Sequence, residues 1–173
     1  RNVTGVQTCA LPISRARCAA GDSAIARAFD AIRDEILRRP RALPALRAEV
    51  VTMREKMAQA HPNPSGRFDL KHDRGGLIDV EFIVQYLVLG HAHRHAGLTG
   101  NIGNLALLKL AGALGLISDD DARAVHGAYR RLRATQHALR LQGEKYARVD
   151  AAEFAAEIAA VMKLWNAVFD TAR

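Results

Sequence analysis

KHDRGGLIDVEFIVQYLVL, residues 71–89, is the stretch whose reading decides the fold. Two adjacent glycines interrupt the chain at 75 and 76. From Leu77 onward Ile78, Val80, Phe82, Ile83, Val84, Tyr86, Leu87, Val88 and Leu89 cover most of a helical circumference. A surface helix carries one apolar stripe, whereas a helix apolar nearly all round is enclosed by others. The pattern predicts a helix from about Leu77 to His95, stopped at Gly97, at the centre of a bundle.

Two acids interrupt this apolar run. At about 100° per residue Glu81 and Gln85 share one face, and Asp79 points nearly opposite Glu81, so the acids do not chelate one metal side by side. A carboxylate buried without a partner costs several kcal/mol, so each must be paired, exposed at a cleft or protonated. Lys71 and Arg74 are the nearest bases in sequence, with Arg130, Arg131 and Arg133 farther along. Two readings stand side by side. In one, Asp79 and Glu81 are helix-start acids favoured by the dipole and paired with those bases. In the other, Gly75 and Gly76 let backbone approach an anionic ligand at the helix N-terminus, with Lys71 and Arg74 on its phosphates.

Working outward, the punctuation is that of helices joined by short loops. Asp22 can cap a helix whose apolar positions Ile25, Phe29, Ile32 and Ile36 step at helical spacing before Pro40. Pro44 suits a first turn, and Leu46, Val50, Met53 and Met57 repeat the stepping up to the breaker run HPNPSG at 61–66. Beyond the central helix, a fourth runs from about Asn104 to Leu114. Ser118 with Asp121 starts a long fifth through Val125, Tyr129, Leu132 and Leu139. Asp150 with Glu153 starts a sixth with the stripe Phe154, Ile158, Val161, Met162, Trp165 and Phe169. The fold class is all-α, about six helices in a bundle.

The 173 residues are 49% hydrophobic and 25% charged, enough for one core and short for two. Aromatics are few (5%), and no segment approaches the roughly 18 apolar residues of a membrane span, so a soluble domain is expected. The formal charge of +7 rests mainly on arginine, which could signal nucleic acid or acidic partners. The arginines are scattered over every predicted helix, which favours a solvated surface over a binding face. Cys9 and Cys18 lack CxxC spacing, so neither a disulfide framework nor a zinc site is indicated, and a reducing cytoplasm fits. The first fourteen residues, RNVTGVQTCALPIS, do not share the pattern that follows and lack the parts of a signal peptide. They are expected to be a non-native, adapter-derived segment, with the native chain at 15–173 continuing upstream of Arg15.

HAHRHAG at 91–97 places His91 and His95 one turn apart, but His93 points away and no carboxylate or thiolate follows at ligand spacing. Histidines at a helix C-terminus are ordinary dipole compensation. Asp119, Asp120 and Asp121 sit where a first helical turn wants acids. Ser23 and Ser118 read as helix-start residues and Cys18 has no motif around it, so no covalent catalytic set is present.

FDLKHDRGGLIDVEFIVQYLVL at 68–89 resembles the signature that follows the second catalytic domain of the bacterial glutamine synthetase adenylyltransferase/deadenylase family, approximately FDxKxxxGGxxDIEFxxQYLVL. ARAFDAIRDEIL and LRAEVVTMREKM resemble the helical hairpin preceding that signature, and RARCAAGD resembles the tail of the nucleotidyltransferase domain. LTGNIGNLALLKLAGALGLIS and AYRRLRATQHALRLQ follow in the same order. Ile78-Asp79 favours the second, C-terminal repeat of the enzyme over the first. The resemblance covers about residues 15–173.

The resemblance implies an enzyme half that transfers AMP from ATP to a tyrosine of glutamine synthetase, the other half removing it by phosphorolysis. Magnesium is held there by GSxxxDxD and a third acid, a two-metal arrangement. No GSxxxDxD occurs in this sequence. The catalytic acids are therefore expected upstream, and the chain alone is expected to be inactive and to bind neither Mg2+ nor ATP. Lys71, Arg74, Gly75, Gly76, Asp79 and Glu81 are the implied nucleotide-proximal or domain-interface positions. The implied partners are glutamine synthetase, a PII signal protein and the upstream nucleotidyltransferase domain in cis, with no nucleic acid and no membrane. Two alternatives stand: the helical domain of a related PII uridylyltransferase, and a basic helical module binding nucleic acid or protein.

Overall fold

The computed structural model describes residues 13–170. Except for Ile13 and Ser14, the expected non-native segment lies outside them. Six α-helices follow one another: α1 (Ser23–Leu37), α2 (Leu43–Ala60), α3 (Leu77–His91), α4 (Gly103–Ala113), α5 (Asp119–Leu141) and α6 (Ala155–Phe169). A two-residue antiparallel ladder, β1 (Phe68–Asp69) with β2 (Arg148–Val149), is the only strand pairing among the described residues. Short 3-10 turns at Ala96–Thr99 and Ala151–Phe154 complete the chain. The all-α expectation holds, with the ladder as an addition that the sequence did not signal. No helix among these residues is long and apolar enough to cross a membrane.

Helix α3 is the centre. Thirteen of its fifteen residues are buried, and it touches α2, α4, α5 and α6. It ends at His91, four residues before the expected stop, because the chain turns through His91–His95 into the 3-10 segment. The expected starts of the other helices hold. The Asp22 carboxylate accepts from Ala24 and Ile25 N–H, Pro44 lies in the first turn of α2, and the Ser118 hydroxyl accepts from Asp121 N–H. Asp150 caps the 3-10 turn that leads into α6.

Helix α1 departs from its pattern. Ile25, Phe29 and Ile32 are exposed, while Arg33 and Leu37 are buried. The Arg33 guanidinium donates to the carbonyls of Ile13, Ser14 and Thr99 at 3.0, 2.6 and 2.6 Å, and the Thr99 hydroxyl donates to Asp34 at 2.6 Å. These contacts turn the Arg33 face inward. Arg41 then closes the end of α1 by donating to the Ile36, Leu37 and Leu89 carbonyls, which ties α1 to α3.

Candidate functional site

The loop ahead of α3 is built by two aspartates. The ladder buries Phe68 and Asp69, and Leu70 N–H continues it onto the Ala147 carbonyl at 3.0 Å. Asp69 Oδ1 accepts from Lys71 N–H at 2.9 Å and His72 N–H at 3.0 Å, an aspartate side chain closing its own turn. Asp73 Oδ2 accepts from Asp69 N–H at 2.8 Å and from the Asn63 side-chain amide at 2.6 Å. His72 stacks on His61 at 4.3 Å, and burial lowers its pKa against the opposing pull of Asp69.

The glycines are held by packing. Gly75 has φ +84°, and a Cβ there would stand 2.8 Å from Ile158 Cγ2 on α6. A Cβ on Gly76 would stand 2.8 Å from the Leu70 carbonyl oxygen and 2.9 Å from that of Asp73. Their N–H groups, and those opening α3, are already engaged. Gly75 N–H donates to Asp79 Oδ2 at 2.6 Å, Gly76 to the Asp73 carbonyl, Leu77 to Leu70 and Ile78 to Lys71. The four donors that an anion at this helix start would need therefore point at protein acceptors.

Asp79 is fully buried. Its Oδ1 accepts from Arg54 Nε at 2.5 Å, and Arg74 Nη1 lies 3.6 Å away. Arg54 is itself 1% exposed and donates through Nη2 to the His72 carbonyl at 2.8 Å. The pair fastens α2 to the loop and to the first turn of α3. The expected partner Arg74 is thus at hand but secondary; its guanidinium lies over the Trp165 ring at 4.3 Å. Of the more distant arginines, Arg131 pairs with Glu157 and Arg133 faces Tyr129. Lys71 stands exposed at the loop.

Glu81 faces the opposite side of α3, as the helical angle requires. Its Oε1 accepts from the Tyr129 hydroxyl at 3.3 Å and meets Arg15 Nη2 at 3.4 Å, and the Asn104 amide donates to the same hydroxyl at 2.9 Å. The loop and first turn of α3 thus place Asp79, Gly75, Gly76 and Arg74 on one side, against α2 and α6, and Glu81 on the other, against α5. Sequence reasoning missed Arg54, Asp69, Asp73 and Tyr129. Arg54 had a signal: it continues the Leu46–Val50 step by four residues, a lone cation on a buried face.

The donors present do not suit magnesium. No group of three His, Cys, Asp or Glu that could hold a metal occurs among the described residues. Asp79 is occupied by Arg54, Asp119 and Asp120 by Arg123, and Asp121 by Lys163. No reaction step is assigned to these residues.

Comparison with known proteins finds one matching family model and relatives about half identical to this chain. The family model described as GlnD PII-uridylyltransferase matches residues 45–169. The bifunctional glutamine synthetase adenylyltransferase/adenylyl-removing enzyme of Nitrosomonas europaea is 51% identical over 92% of this chain and 19% of its own length. The enzymes of the same name from Aromatoleum aromaticum and Bordetella bronchiseptica are 54% and 53% identical, over 92% and 90% of this chain and 17% of theirs. The chain spans less than a fifth of the length of the curated relatives it matches.

Proposed function

The chain belongs to the family that the PII-uridylyltransferase model describes and sides, within it, with the bifunctional glutamine synthetase adenylyltransferase/adenylyl-removing enzymes, and on that premise we propose that it is the helical domain supporting the C-terminal adenylyltransferase half of such an enzyme. The parent transfers AMP from ATP to a tyrosine of glutamine synthetase, using Mg2+ held by an upstream nucleotidyltransferase domain. It works in the cytoplasm and answers to a PII signal protein. The observation that carries this reading is identity of about half over nine-tenths of the chain with enzymes of that one name. The same identity favours it over a uridylyltransferase, although the family model takes its name from one.

In this reading the helical domain supplies position, not chemistry. Asp79, Arg54 and Gly75 fix the loop 68–76 rigidly, and rigid support is what a two-metal site borrowed from another domain requires. Lys71 and Arg74 are the exposed cations of that loop, and Lys71 is the one placed to meet the nucleotide or the catalytic domain, since Arg74 already lies against Trp165 and Asp79.

Recovery of the gene upstream of residue 15 tests the reading. GSxxxDxD within about 150 residues, a typical domain length, is expected, and its absence overturns the assignment. In an adenylylation assay with glutamine synthetase, ATP and Mg2+, the 173-residue chain is expected to give no turnover and the intact parent to give it. In that parent Lys71→Ala is expected to slow transfer with an unchanged melting temperature.

A further inference from the structure

Helix α4 begins at Gly103 with no side chain capping it and no acid in its first turn. Its leading N–H groups therefore carry the positive end of the helix dipole without an internal acceptor. That end opens into a cavity of about 560 Å3 walled by α3, α4, α5 and the chain at 14–17, within the range of small-molecule sites, roughly 300–1,000 Å3. Gln85 lines the same cavity from α3. It is nine-tenths buried, and its side-chain amide meets no hydrogen-bond partner among the described residues. With no protein partner among these residues, its donor and acceptor are open to a polar group that enters the cavity.

The charge around this amide is positive. Arg15, Arg17 and Arg133 all line the cavity. The nearby carboxylate, Glu81, is already met by the Tyr129 hydroxyl and Arg15. Arg133 is exposed and spends its guanidinium on long contacts, 3.5 Å to the Tyr129 hydroxyl, 3.5 Å to His137 Nε2 and 5.8 Å to the Tyr129 ring centroid.

We propose that this cleft binds a small molecule carrying an oxyanion, phosphate or carboxylate, seated on the first-turn N–H groups of α4 and the Arg133 guanidinium, with an uncharged polar group on the Gln85 amide. Oxyanions suit both a helix N-terminus and a planar guanidinium. The inference concerns α3, α4 and α5 alone and stands whether or not the parent adenylylates glutamine synthetase.

The test titrates the 15N-labelled 173-residue chain with inorganic pyrophosphate and, separately, with succinate, ionic strength being held constant with sodium chloride. Saturable shifts are expected at the amides of Gly103, Asn104 and Leu105 and at the Gln85 side chain, and the anion that saturates at lower concentration identifies the chemistry. Arg133→Gln, a surface change, is expected to weaken binding about tenfold or more with an unchanged melting temperature. Gln85→Met, close in volume, is expected to weaken it several-fold. Absence of saturation with both anions, or an affinity that Arg133→Gln leaves within twofold, overturns the proposal.

Discussion

Asp79 and Glu81 lie two residues apart on one helix and have opposite surroundings. Asp79 is sealed with Arg54, and in so dry a place removal of one partner leaves an uncompensated charge. Arg54→Ala is expected to lower unfolding stability by about 3–5 kcal/mol, read from urea transitions. Replacing both partners, Arg54→Met with Asp79→Leu, is expected to recover most of that loss, because an apolar pair of similar volume substitutes well for a buried ion pair. Recovery stays incomplete to the extent that Gly75 N–H loses its acceptor, worth about 1–3 kcal/mol. Lys71→Ala is expected to stay within about 0.5 kcal/mol of the parent chain. The sequence showed that each acid needed a partner. It did not name Arg54, because a pair spanning 25 residues depends on how α2 lies against α3, which no local spacing encodes.

At the scale of elements, caps were the most legible feature and facing the least. Asp22 and Ser118 act on N–H groups two or three residues away and Pro44 through its own fixed φ in the first turn, so their roles are written locally. Which way α1 faces is not local. Its Ile25, Phe29 and Ile32 stripe remains outward because Arg33 finds three carbonyls on the other side. Gly75 joins two elements, since its left-handed backbone lets α3 start within van der Waals reach of α6. Gly75→Ala is expected to cost about 1–3 kcal/mol through the strained φ, and more through the contact with Ile158, measured by thermal unfolding. At the start of α5, Lys163 and the Ser118 hydroxyl hold the Asp121 carboxyl below the usual carboxylate range. A carboxyl depressed in the fold contributes stability that is fully present above its unfolded value, about pH 4, and lost as pH falls through its folded value. Lys163→Met is therefore expected to be less stable than the parent chain at pH 6, with the gap closing below pH 4.

At the scale of the whole molecule, the circumference of α3 was enough to place it at the centre, and six helices follow from periodicity and breakers. The two-stranded ladder escaped notice because two residues carry no alternation to read. Net charge alone does not distinguish a nucleic-acid binder from a helical support, and the side-chain contacts show how several of the arginines are used. Arg33 and Arg54 are buried, Arg41 and Arg140 cap carbonyls, and Arg38, Arg39, Arg123 and Arg131 sit in ion pairs. Cations already committed to protein acceptors neutralise few phosphates, and each phosphate neutralised contributes about 0.9 to the salt slope on duplex DNA. Filter binding to a generic duplex is therefore expected to show affinity no tighter than the non-specific range, about 10⁻⁴–10⁻⁶ M at physiological salt. The slope should correspond to two or three phosphates at most, roughly 2–3 in log–log terms. Tight binding with a slope near ten would assign the charge to nucleic acid and remove the case for a domain whose arginines serve its own fold.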